Sequence, residues 1–136
     1  MNKLEKLAYK YGSHKCPQIA HSYTHFYDFL FANKRKSIRK LLEIGVGSKK
    51  DSNWPNYVNG ASLYMWQDFF PKANIYGIDI NKKLVFKKGR IQTFLCNQAD
   101  RVKLTKLIKK IGSDIDIVID DGSHQPKDIV ASCKTL

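Results

Sequence analysis

Apolar side chains in this chain follow two rhythms, and the switches between them predict its elements. Leu104, Leu107, Ile108 and Ile111 recur at the i, i+3, i+4, i+7 spacing of one helix face. Lys103, Lys106, Lys109 and Lys110 fall mostly on the opposite face, and Gly112 ends the segment. Other apolar runs are short, continuous and bounded by turn residues, as expected of strands covered on both faces. They lie at 40–46, 75–80, 91–96 and 116–120. Helical patterns alternate with them. Residues 3–10 place Leu4, Leu7 and Ala8 on one side, and residues 22–33 present Phe26, Phe29, Leu30 and Phe31. A mostly apolar helix carrying Leu63, Met65, Trp66, Phe69 and Phe70 stops before Pro71, and Pro126 suits the first turn of a last helix. Residues 11–17 and 48–60 are punctuated as loops. Strand–helix alternation predicts an α/β fold with about four parallel strands and flanking helices.

Composition bounds this picture. The 136 residues make one small domain, and 43% hydrophobic with 12% aromatic residues is ample for a packed core. No apolar run nears the roughly 18 residues of a membrane span. Cys16, Cys96 and Cys133 are odd in number and far apart, with no C-x-x-C, which argues against a disulfide frame or zinc site and for a reducing, cytoplasmic setting. A formal charge of +12 raises nucleic acid as a partner, yet the lysines are scattered and aromatic residues are not interleaved with them. A solvated lysine-rich surface is the simpler reading.

Candidate chemistry gathers at the carboxyl ends of the expected strands, where ligands bind in such sheets. Gly45 and Gly47 end the first strand and let backbone approach a ligand. A dinucleotide site wants a third glycine where this chain has Lys50, and Glu43 suits a cation better than phosphates. A positively charged nucleoside such as S-adenosylmethionine fits that pairing. Asp79, near the end of the second strand, can accept from both hydroxyls of a ribose or can close an Asx turn. Gln98 and Asp100 can read an adenine edge, and Asp100 is equally an N-cap for the helix that follows. Asp121 is a hard oxygen ligand suited to Mg²⁺, or part of a plain Asp-Gly turn. His124, three residues on, can take the proton of a metal-held hydroxyl, or can sit in solvent near the last helix. His21 and His25 lack a further ligand and are expected to be ordinary packing or surface residues.

Several stretches together carry a resemblance: 11–13, 23–27, 41–47, 60–66, 75–80, 97–100 and, most specific, 116–124 with its Asp-Asp-Gly-Ser-His run. The chain resembles the class I S-adenosylmethionine-dependent methyltransferases. More narrowly, it is similar to the metal-dependent sugar O-methyltransferases of macrolide biosynthesis (macrocin and mycinamicin types) and to the cephalosporin-hydroxylase-like group. The resemblance implies a Rossmann-like sheet, of which this chain is the amino-terminal part. Residues 1–39 would form a helical lid or cap, and 40–136 a partial cofactor domain. It implies that Glu43, Gly45, Gly47, Asp79, Gln98 and Asp100 line the S-adenosylmethionine pocket, that Asp121 binds Mg²⁺ and that His124 is the general base. The acceptor would be a small-molecule hydroxyl, on a sugar, and the methyl transfer in-line. His14 and Asn97 stand where related sequences often carry acids. The family's full sheet has more strands than the four expected here, which predicts a truncated chain with an unpaired edge at its fourth strand and weak or no catalysis alone. Two alternatives remain: an RNA methyltransferase with a basic surface, and a non-catalytic nucleoside-binding module.

Overall fold

The computed structural model describes all of Met1–Leu136 as a twisted sheet with helices on both faces. Its strands are β1 (Lys40–Ile44), β2 (Asn74–Asp79), β3 (Lys87–Lys88), β4 (Ile91–Leu95) and β5 (Ile117–Asp120). Their order across the sheet is β3-β4-β2-β1-β5. The four expected strands are present and parallel: β1 pairs with both β2 and β5, and β2 pairs with β4. The fifth, β3, was not anticipated. It is two residues long and antiparallel to β4, turned back by Gly89, whose φ of +57° suits glycine. Two residues are too few to show any period.

Helices α1 (Lys3–Tyr11), α2 (Tyr23–Phe31) and α3 (Ala61–Phe69) lie on one side. Their larger core joins Leu4, Ala8, Trp66 and Phe69 to Leu41, Ile75, Ile91 and Ile117 of the sheet. Trp66, Phe69 and Phe70 are wholly buried, and each such side chain contributes about 1.5–3 kcal/mol. On the other face α4 (Arg101–Ile111) lays Leu104, Leu107 and Ile111 over Leu42, Ile44 and Ile78. The periodic apolar stripe is therefore the buried stripe. Helix α5 (Pro126–Thr135) packs on α4, starting at its proline as expected.

Only one side of β5 is paired, so it is a sheet edge, with Val118 42% exposed. Helix α2 differs from its sequence pattern. Tyr27 and Phe31 turn inward against Trp66 and Phe70, whereas Phe29 is 83% exposed. No helix is long and apolar enough to cross a membrane.

Candidate functional site

Backbone bonds draw the strand ends into one surface. Gly45 N–H donates to the Ile78 carbonyl, Cys96 N–H to Asp79 and Asp121 N–H to Ile44, at 2.8–3.0 Å. Gly45 (φ +91°) leaves β1 in a left-handed turn, and a Cβ there would collide with the Asp121 backbone. Gly47 (φ +79°) passes close to the Tyr57 hydroxyl. Gly45 thus lets the β1 and β5 ends close together, and Gly47 makes room for the Tyr57 side chain.

Above this surface is a cavity of about 490 Å³, within the roughly 300–1,000 Å³ usual for small-molecule sites. Gly45, Gly47, Asp79, Gln98, Asp121 and His124 all lie on its wall. Glu43 and Asp100 do not. Glu43 is fully buried, and its carboxylate accepts from Ser62 Oγ (3.0 Å) and Trp66 Nε1 (2.7 Å). Asp100 caps α4, its side chain accepting from Lys103 N–H at 3.0 Å. For both residues the observed role lies inside the fold.

Asp79 has its carboxylate on the cavity wall with both oxygens oriented by backbone. Oδ2 accepts from Val46 N–H at 3.0 Å, and Oδ1 from Asn81 N–H at 2.9 Å, which closes an Asx turn. Each oxygen keeps a lone pair for a further donor. Gln98 reaches the cavity, but its amide clamps the β5 end. Nε2 donates to Asp120 at 2.9 Å, and Oε1 accepts from Ser123 N–H at 3.0 Å.

Lys15 was missed by sequence reasoning. It lies between α1 and α2 with its side chain 5% exposed, and its Nζ reaches Glu43 Oε1 at 2.7 Å and Asp121 Oδ2 at 2.5 Å. Burial alone would lower its pKa, but the two carboxylates outweigh burial and hold it above the ordinary lysine value. The cation that Glu43 accommodates is this ammonium. A buried carboxylate inside an apolar strand was the available signal, since it demands a partner. Tyr57 and Cys96 also line the cavity. Burial pushes the Tyr57 hydroxyl up to about 12 and raises the Cys96 thiol, so both stay protonated at neutral pH.

At the β5 end, His124 adopts φ +59°, the one non-glycine residue with positive φ. Its Nε2 lies 3.5 Å from Asp121 Oδ1, and its side chain is 73% exposed. The Asp121 carboxylate, 35% exposed, is a hard oxygen donor whose Oδ2 is already paired with the Lys15 ammonium, leaving Oδ1 as its remaining oxygen. No group of three or more His, Cys, Asp and Glu gathers into a metal cluster. A Mg²⁺ ion held here would keep several waters, as it usually does. His21 stacks on Tyr23, and His25 approaches Glu5 at 4.0 Å, both away from this cavity.

The charge of the wall runs against that of the chain. Four aspartates (Asp51, Asp79, Asp121 and Asp128) face a single lysine and no arginine, in a molecule of net charge +12. An acidic cavity favours a cationic ligand and disfavours phosphates.

No family model matches the chain. Among curated proteins it is 38% identical over 133 residues to 8-demethyl-8-α-L-rhamnosyl tetracenomycin-C 2′-O-methyltransferase of Streptomyces olivaceus, covering 98% of this chain and 33% of that one. It is 42% identical over 104 residues to mycinamicin VI 2″-O-methyltransferase of Micromonospora griseorubida, covering 76% and 25%. Identity to demethylmacrocin O-methyltransferase of Streptomyces fradiae is 39% over 121 residues, covering 89% and 29%. Among solved structures, the MycE methyltransferase of the mycinamycin biosynthetic pathway, in complex with Mg, SAH and mycinamycin VI, superposes with a TM-score of 0.86 at 37% identity, covering 99% of this chain and 35% of that one. The fold is thus a Rossmann-like methyltransferase fold. The chain spans a quarter to a third of the length of these curated relatives.

Proposed function

We propose that this chain, homologous to sugar O-methyltransferases, forms the S-adenosylmethionine-binding part of a Mg²⁺-assisted enzyme that methylates a small-molecule hydroxyl, on a sugar. One observation carries the reading: an acidic cavity at the strand ends of a strongly basic chain. S-adenosylmethionine brings a sulfonium and an ammonium to such a wall, and a pyrophosphate or an RNA backbone brings charge of the wrong sign.

In this reading Asp79 accepts from the ribose hydroxyls, and Gly45 and Gly47 let the nucleoside lie against backbone. Gln98 shapes the wall while holding the β5 end. Glu43 acts through Lys15, and Asp100 acts through α4. Residues 1–39 cap the cavity, contributing Ser13, His14 and Lys15 to it. Asp121 would hold a divalent cation, which when bound would lower the pKa of an acceptor hydroxyl nearby. His124 Nε2 takes that hydroxyl's proton. S-adenosylmethionine, when bound, would supply a methyl group on sulfonium sulfur, which passes to the acceptor oxygen as the sulfur departs as a neutral thioether. The protein's main contribution is to hold the two reacting atoms in line.

Backbone amide signals followed during titration test this assignment. S-adenosylhomocysteine is expected to shift Gly45, Gly47, Ile80 and Asn97, and NAD to leave them unmoved. Shifts confined to residues outside the cavity contradict it.

A further inference from the structure

The two carboxylates that Lys15 bridges differ in standing. Glu43 is wholly buried and already engaged by Ser62 and Trp66, whereas Asp121 is 35% exposed and turned to the cavity. The lysine itself is fixed from both directions along its chain. Its N–H donates to Ser13 Oγ at 3.3 Å, and its carbonyl accepts from Thr24 N–H at 3.1 Å. Withdrawing the ammonium would strand the Glu43 charge in the core, which is strongly unfavourable. Lys15 therefore stays in place whatever arrives at Asp121.

We infer that Lys15 is a tethered counter-ion that competes with a divalent cation for Asp121 and directs it to one carboxylate oxygen. The ammonium holds Oδ2, leaving Oδ1, 3.5 Å from His124 Nε2, as the oxygen open to a metal. Its positive charge opposes a second cation beside it, so Lys15 keeps the metal weakly bound and on the histidine side. The inference rests on the proposed role of Asp121 as metal ligand. It makes Lys15 a positioning residue, acting through Asp121 without touching the reacting atoms. A residue that merely braced Asp121 would have the opposite signature, because its loss would weaken metal binding.

Mn²⁺ titration, read by paramagnetic broadening of the Gly122, Ser123 and His124 amide signals, separates these cases. Lys15 is removed in a Glu43→Gln background so that no buried charge is stranded, once as Lys15→Met and once as Lys15→Gln. Relative to Glu43→Gln alone, both double variants are expected to bind Mn²⁺ about tenfold tighter, because a like charge has been removed from within a few ångströms of the site. Equal or weaker binding in both overturns the inference. Broadening in Asp121→Asn as strong as in the unaltered chain shows instead that Asp121 is no metal ligand, which overturns the parent reading and the inference with it.

Discussion

His124 combines an exposed imidazole with a backbone conformation that only glycine adopts freely. A left-handed residue with a Cβ carries roughly 1–2 kcal/mol of strain, and such strain concentrates where function requires a side chain. His124→Gly is therefore expected to stabilise the chain by about 1 kcal/mol in urea denaturation, while removing the proposed base. A loss of stability in that variant contradicts the account. At this scale the sequence was legible where a residue's chemistry matched its place at a strand end. Asp79, Asp121 and His124 were legible as residues of the cavity wall because acids and a histidine following apolar strands stand out against their surroundings. Lys15 was not found, since one lysine in a loop is lost among 24 basic residues until the fold shows which of them is buried. Glu43 and Asp100 were placed at the right end of the sheet, but direction decided their roles. Glu43 points under the sheet's first turn towards α3, and Asp100 points along its own helix.

The Lys15 ion pairs join three elements: the connection between α1 and α2, strand β1, and the end of β5. A buried pair of this kind is worth little against an apolar replacement but much against a half-broken one. Lys15→Met alone is expected to lose about 3–5 kcal/mol of unfolding free energy, and adding Glu43→Gln is expected to recover most of it. Simple additivity of the two substitutions in urea denaturation would show that they are not coupled. Legibility among the elements followed length and period. The α4 stripe and the four parallel strands were readable because each repeats its pattern over several residues. The two-residue β3 carries no pattern to read. Helix α2 was located but its face was not, because Phe26 and Phe29 are as apolar as the Tyr27 and Phe31 that pack inward. Periodicity identifies a buried face only when the other face is polar.

Over the whole molecule, the net charge and the local charge point to different partners. A value of +12 taken alone suggests a polyanion, but the concave surface where the strand ends meet is lined by four aspartates and one lysine. Composition sums charge without position, so this separation could not be read before folding. The basic surface then affects solubility and encounter, and in the proposed function the acidic cavity selects the ligand. In the proposed function this cavity binds the methyl-donating nucleoside through Asp79. Calorimetric titration of S-adenosylhomocysteine into the chain and into its Asp79→Ala variant tests it most directly. Hydrogen bonds to a charged acceptor are worth about 1.5–3 kcal/mol, so the variant is expected to bind at least about tenfold more weakly. Equal heats and affinities from the two proteins would contradict the assignment.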